Sequence, residues 1–307
     1  MKKILITEFM NQNSIRYLKK KFNVVYNKNF WKNKKKLENI ISNFDAIIVR
    51  NKTQVNESLL KQTNNLKFIG RLGVGLDNIN TKYCKKRRIH VQPATGMNAD
   101  SVAEYVIGSS LYLIKNISLL HDGTTNGLWP RTLLNSREIK GKIFGLLGFG
   151  TIGKKVCKLA KNFGAEVVSF DPYINKSIQK KFNIKLLSFK KLIKISDIIS
   201  IHLPLNDKTK NLIKYSTFTL MKKKPIIINS SRGSIVNEND LIRAYKKKLI
   251  SGFALDVFNQ EPVSKIFYKK IDKSINCIIT PHIAGVTDES NIRVSDFIVK
   301  KLIKFFR

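Results

Sequence analysis

Short apolar runs rich in isoleucine and valine recur along the chain with helical patterns between them. ILITEF, VVYN, AIIVR, KFIGRLG and IHVQ come first, then IFGLLGFG, EVVSFD, IISIHLP, PIIINSS, GFALDV and CIITP. Runs of about four to eight apolar residues bounded by turn residues mark strands buried on both faces, and their alternation with helices predicts parallel sheets with crossover connections. About eleven strands exceed what one compact sheet of this length holds, so the pattern predicts two α/β domains, each doubly wound. The first five strands would form one domain ending near Pro93, and the six between Ile143 and Pro281 the other. Between them, NADSVAEYVIGSSLYLIKNISLL reads as one long helix with Asn98 or Asp100 near its start, where a short polar side chain caps free N–H groups. A last helix, from Thr287 to Phe306, has no strand after it and would return to the first domain. That domain then becomes discontinuous, residues 1–96 with 288–307, against 97–287 for the second.

At 307 residues, with 43% hydrophobic and 9% aromatic positions, the chain has enough apolar material for two cores. Its longest apolar stretch, residues 102–120, is interrupted by Glu104, Lys115 and three serines, which suits a buried or interface helix rather than a membrane span. The apolar run after the N-terminal lysines is too short for a signal peptide and is broken by Glu8. Cys84, Cys157 and Cys277 lie far apart without a C-x-x-C pair, so neither a disulfide framework nor a metal site is expected, and a reducing cytoplasm is. The formal net charge of +36 is large enough to attract nucleic acid or an anionic membrane. Lysine, asparagine and isoleucine are abundant throughout, however, as in FWKNKKKLENIISN, and no aromatic-plus-basic recognition motif accompanies them. The expectation is a general amino-acid bias without nucleic-acid or membrane binding, whose positive field still draws in small anions.

The densest local signal is KIFGLLGFGTIGKKV, in which Gly148, Gly150 and Gly153 spell G-x-G-x-x-G between a strand and a helix. The first glycine allows the tight turn, the second lets a pyrophosphate approach the backbone, and the third lets helix and strand pack closely. The helix N-terminus then offers N–H donors and a partial positive charge. The next strand ends in Asp171, where a carboxylate accepts hydrogen bonds from ribose hydroxyls and repels a 2'-phosphate, favouring NAD over NADP, although Lys176 and Lys180 nearby keep NADP open.

Hydride exchange between NAD and a hydroxy acid requires a cation for the substrate carboxylate, a proton carrier for the oxygen and a group that tunes the carrier. One residue of each kind follows a later strand: Arg232 after IIINSS, Glu261 beyond GFALDVF and His282 after CIITP. Ligands of open α/β sheets collect outside the carboxyl ends of the strands, so three successive strands would aim these side chains into one crevice. Arginine holds a carboxylate through a bidentate fork, histidine exchanges a proton near neutral pH, and a neighbouring carboxylate favours the imidazolium and fixes its ring. Taken singly, each has a structural alternative: a surface arginine, a solvated glutamate before Pro262, a capped histidine.

Several motifs in order extend the picture over nearly the whole chain: GRLGVGLDNIN at 70–80, NADSVAEYVIG at 98–108, GLLGFGTIG at 145–153, HLPL at 202–205, INSSRGSIVNENDL at 228–241, GFALDVFNQEP at 252–262 and TPHIAG at 280–285. With them the chain resembles the D-isomer-specific 2-hydroxyacid dehydrogenase family, which includes phosphoglycerate and hydroxypyruvate dehydrogenases. The resemblance implies a Rossmann NAD-binding domain and a smaller flavodoxin-like substrate domain, with the active site in the cleft. It implies Arg232, Glu261 and His282 as the catalytic set. Cofactor contacts are implied at Gly148, Gly150, Thr151, Ile152, Gly153, Asp171, His202, Leu203, Pro204, Ser230, Ser231 and Asp256. Backbone N–H groups around Gly73, Val74 and Gly75 resemble the family's carboxylate cradle, and Asn98 and Ser101 fall where it lines the cleft. The family also implies a homodimer through the nucleotide-binding domains, with the helix after Asn98 near the interface.

Substrate identity has to come from residues that vary within such a family. Arg50 and Lys52 in IIVRNKTQV would point from one face at the end of the third strand. In phosphoglycerate dehydrogenases the matching segment carries basic residues for the distal phosphate, and Arg131 in GLWPR resembles another basic residue of those enzymes. Three cations beyond Arg232 imply a second anionic group on a small 2-hydroxy or 2-oxo acid, a phosphate as in 3-phosphoglycerate or a sulfonate as in sulfolactate. VRNKTQV, GRLGVGLDNI and ATGMNADSVAEY also resemble sulfolactate dehydrogenases. The alternatives are a glyoxylate, hydroxypyruvate or D-lactate type of reductase and, from another class, an NAD-sensing corepressor-like protein that keeps the dehydrogenase fold. The chain stops after its final helix, so the regulatory domain of many phosphoglycerate dehydrogenases is not expected.

Overall fold

The isoleucine- and valine-rich runs form strands, and every strand pairing among the described residues is parallel. The structure is a computed structural model that describes residues 1–132, 136–269, 271 and 275–307. It divides into two units, Met1–Asn98 with Val286–Arg307, and Ala99–Gly285.

The first unit carries β1 (Lys3–Ile6), α1 (Gln12–Lys19), β2 (Asn23–Tyr26), α2 (Lys34–Ile40), β3 (Ala46–Val49), α3 (Glu57–Lys61), β4 (Phe68–Arg71), α4 (Thr81–Lys86) and β5 (His90–Pro93). Its sheet order, β2-β1-β3-β4-β5, is the flavodoxin-like doubly wound order. Alternation along the strands splits the core in two: Ile4, Ile6, Ile48 and Phe68 pack on one side, Leu5, Ile47, Val49 and Ile69 on the other. The C-terminal helix, Asp288–Phe306, starts at a capping box between Thr287 and Ser290 and lays Val294, Ile298 and Leu302 on the first of these faces.

The second unit carries α5 (Ala99–Ile114), α6 (Ile117–Thr125), β6 (Ile143–Leu147), α7 (Thr151–Asn162), β7 (Glu166–Phe170), α8 (Lys176–Phe182), β8 (Lys185–Leu186), α9 (Phe189–Ile195), β9 (Ile198–Ile201), α10 (Tyr215–Phe218), β10 (Ile226–Asn229), α11 (Glu238–Lys246), β11 (Gly252–Leu255), α12 (Lys265–Tyr268) and β12 (Cys277–Ile279). Its order, β12-β11-β10-β9-β6-β7-β8, reverses between β6 and β9, the switch point of a Rossmann sheet. Both sheets are doubly wound, as the hydropathy pattern predicts. The strand that the pattern does not show is β8, whose two residues are too few to leave a periodic signal.

The long helix expected after Asn98 is instead two. α5 ends at Ile114, Asn116 turns left-handed at φ 54°, and α6 begins at Ile117. Asn276, almost fully buried, holds the break by donating to Leu113 O and Asn116 Oδ1, both at 2.9 Å. Asn98 does not cap α5, since its Oδ1 is buried with no hydrogen-bond partner. Elsewhere asparagine is the preferred cap: Asn11, Asn33, Asn56, Asn80, Asn175 and Asn237 each accept a first-turn N–H, in α1, α2, α3, α4, α8 and α11. No helix of the described residues is long and apolar enough to cross a membrane.

Candidate active site

The glycine turn joins β6 to α7 at the switch point. Gly148 adopts φ +97°, and a Cβ there would overlap the carbonyl oxygen of His202, so the turn is pressed against the end of β9. A Cβ on Gly153 would come 2.5 Å from Gly148 O, whereas one on Gly150 would meet open space. The turn is therefore packed where it touches protein and open at the position where a pyrophosphate approaches backbone. Thr151 and Ile152 form the first turn of α7. Asp171 follows β7, and its carboxylate accepts Phe149 N (2.8 Å) and Tyr173 N (2.9 Å), tying the glycine turn to the end of β7.

His202, Leu203 and Pro204 follow β9. The His202 ring lies 2.9 Å from Ser200 Oγ through Nε2, and burial pushes its pKa down to about 3. It is a neutral packing group, and it is its main chain that meets the glycine turn. Ser230 and Ser231 follow β10: Ser231 donates twice to Asn229 Oδ1, while Ser230 Oγ is buried with no hydrogen-bond partner. An open glycine edge, a carboxylate at the end of the next strand and a buried hydroxyl without a partner fit a bound dinucleotide. Ser101 is buried in the first turn of α5.

Arg232 follows Ser231, half-buried, with Nη1 on Ser231 O at 2.7 Å. A Cβ on the next residue, Gly233, would overlap the main chain of Phe258, so the Arg232 loop lies directly on the loop that leads to Glu261. Ser234 and Glu238 fasten the same contact by hydrogen bonds to Asn259. Glu261 Oε1 accepts Phe258 N at 3.1 Å, and Oε2 pairs with His282 Nδ1 at 2.8 Å. Burial works to raise the Glu261 pKa, but the hydrogen bonds from His282 and Phe258 and the charges of His282 and Arg232 outweigh it and leave it below the usual value. The expected trio is thus one constellation in the second unit.

His282 has φ +58°, a left-handed backbone uncommon for a side chain of its size. Asp256, fully buried after β11, explains how it persists: its carboxylate accepts Ile283 N (2.7 Å), Ala284 N (2.8 Å) and Thr280 Oγ1 (2.7 Å). Burial pushes the Asp256 carboxyl up, against these hydrogen bonds. Tyr105 on α5 extends the chain with its hydroxyl 2.7 Å from Thr280 Oγ1. Sequence reasoning missed Tyr105 and Thr280, although each lies inside a quoted motif, NADSVAEYVIG and TPHIAG.

Arg50 and Lys52 do not share a strand face. β3 ends at Val49, and both residues sit in a loop. Arg50 Nη2 donates to Asn291 Oδ1 at 2.9 Å, while Lys52 Nζ lies 4.4 Å from the centre of the Trp31 ring. Alternation does not apply beyond the strand, which is why the reading from spacing fails here. Beside Gly73, the room for a Cβ is taken by the Arg71 guanidinium, and Val74 and Gly75 follow at the surface of the first unit. Arg131 is exposed, in a turn with its N–H on Trp129 O at 2.9 Å.

A glycine turn at the switch point, with an Arg, Glu and His constellation at the carboxyl edge of the same sheet, defines a nicotinamide-dependent dehydrogenase. A family model described as the NAD-binding domain of D-isomer specific 2-hydroxyacid dehydrogenases matches residues 107–284. (S)-Sulfolactate dehydrogenase of Chromohalobacter salexigens is 35% identical over 301 residues, 96% of this chain and 95% of that protein. D-3-phosphoglycerate dehydrogenase of Methanocaldococcus jannaschii is 33% identical over 100% of this chain, which spans 58% of that relative. D-lactate dehydrogenase of Aquifex aeolicus, solved with NAD and lactic acid, superposes with a TM-score of 0.86 at 28% identity, over 99% of this chain and 95% of that one. The chain belongs to the D-isomer-specific 2-hydroxyacid dehydrogenase family and is an NAD-dependent enzyme of that family.

Proposed function

We propose that the enzyme interconverts a 2-hydroxy acid and its 2-oxo acid with a second anionic group on the substrate, a sulfonate or a phosphate. The observation that carries the chemistry is the 2.8 Å pair of Glu261 and His282 beside the charge of Arg232. NAD, when bound, takes or gives the hydride. Asp171, Ser230, Ser231 and the Gly148–Gly153 turn would hold it, with Ser101, Leu203, Pro204 and the main chain of His202 beside it. Arg232 would grip the substrate carboxylate and orient the adjacent carbon. With Nδ1 engaged by Glu261, His282 has Nε2 to give a proton to the substrate oxygen on reduction and to take it on oxidation. Glu261, held below its usual pKa, stays a carboxylate at neutral pH, fixes the ring and offsets the imidazolium charge.

Arg50, Lys52 and Arg131 would meet the second anion, and Gly73, Val74, Gly75 and Asn98 the rest of the substrate. The names of the sulfolactate and phosphoglycerate relatives support this reading. A single-anion substrate such as glyoxylate is the second reading, favoured by the intramolecular partners of Arg50 and Lys52. Leu128 and Trp129, 60% and 80% exposed beyond α6, support a homodimer. Three free cysteines, two of them buried, support a reducing cytoplasm.

NADH oxidation with sulfopyruvate, phosphohydroxypyruvate, glyoxylate and pyruvate tests the proposal. One two-anion substrate should exceed glyoxylate in kcat/KM by about tenfold or more, and His282→Ala should lower kcat by about 100-fold or more with NADH affinity unchanged. Equal rates across the panel would remove the second anion, and full turnover by the variant would remove His282.

A further inference from the structure

Glu8 follows β1 and is 3% exposed, and nothing in the chemistry above uses it. Its carboxylate accepts four consecutive backbone N–H groups from the loop after β3. Oε1 takes Arg50 N at 2.8 Å and Thr53 N at 2.9 Å, and Oε2 takes Asn51 N at 3.3 Å and Lys52 N at 3.0 Å. The loop is tied elsewhere too: Asn78 Nδ2 donates to the carbonyls of Arg50 (3.2 Å) and Thr53 (2.7 Å), and the Thr53 hydroxyl pairs with that of Thr7 at 2.8 Å. Successive N–H groups converging on one point make an anion-binding nest, and this one is filled by the chain's own carboxylate. A substrate anion is therefore left with the side chains that the nest carries, Arg50 and Lys52, and their main-chain positions are set by Glu8.

We propose that Glu8 is a positioning residue for substrate selection: it is the internal anion around which residues 50–53 fold, and that fold presents Arg50 and Lys52 to the second anionic group of the substrate. The inference rests on the two-anion reading above. Without the carboxylate, the four N–H groups lose their common acceptor and become a site for a small free anion.

The test compares Glu8→Ala, Glu8→Gln and Arg50→Ala with the unaltered enzyme on sulfopyruvate, phosphohydroxypyruvate and glyoxylate, in sodium formate or sodium chloride at equal ionic strength. Glu8→Ala should lower the ratio of kcat/KM for the preferred two-anion substrate over glyoxylate by about tenfold, through KM. Formate, seated in the vacated nest, should restore the ratio in Glu8→Ala and leave the unaltered enzyme as it was. Glu8→Gln keeps the shape and one acceptor oxygen, so its ratio should fall by about threefold, and it carries the comparison if the alanine variant does not fold. Equal losses on all substrates in the Glu8 variants, or formate acting no better than chloride, overturn the role of Glu8. An unaltered enzyme without preference for either two-anion probe, or an Arg50→Ala variant that treats all substrates alike, removes the two-anion reading and this proposal with it.

Discussion

At the scale of single residues, the chain's histidines show how environment divides one side chain between tasks. His282 sits on an exposed edge against Glu261, where it can meet substrate, whereas His202 is kept neutral by burial. The folded pKa of His202, about 3, lies below the unfolded value of roughly 6.5, so the unfolded chain takes up the proton first as pH falls. Stability is then complete above about pH 6.5 and is lost progressively toward the folded pKa. Between pH 6.5 and pH 5 the loss should be about 2 kcal/mol larger in the unaltered protein than in His202→Asn, measured by urea unfolding at both pH values. Parallel pH dependences would show that His202 is not the group responsible.

At the scale of elements, the active site is a set of loop contacts on a sheet edge. Gly233 lies on the main chain of Phe258 and Asn259, so this contact sets the spacing of Arg232 from Glu261. Gly233→Ala must push the two loops apart, and kcat should fall about 100-fold in a protein whose circular dichroism is unchanged. Near-normal kcat would mean that the loops are not coupled. The strands and the glycine turn were legible in the sequence because β-branched runs and G-x-G-x-x-G report local geometry. Arg232, Glu261 and His282 were legible because each follows a strand of the same parallel sheet. The break at Asn116 was not, since a buried side chain 160 residues away, Asn276, holds it. Nor was the departure of Arg50 and Lys52 from the strand's alternation, because Glu8 gathers their N–H groups into a loop.

At the scale of the molecule, the charge of +36 creates a field that acts on any anion. Raising ionic strength from about 20 to 300 mM should lower kcat/KM about fivefold for a two-anion substrate and about twofold for glyoxylate, in stopped-flow or steady-state assays. Equal slopes would show that the field contributes nothing to substrate capture. The same compositional bias that produces the charge also supplies isoleucine to the strands and asparagine to the helix starts. The six asparagine caps have a consequence for engineering: aspartate accepts the same first-turn N–H and adds a negative charge where the helix dipole favours one, by about 0.3 to 1 kcal/mol per site. Replacing all six would strip six units from the positive excess; five of the sites lie away from the Arg, Glu and His constellation, while Asn237 stands next to Glu238, which fastens the Arg232 loop to Asn259. The caps are thus a dial for colloidal behaviour and for the field that draws anions to the enzyme.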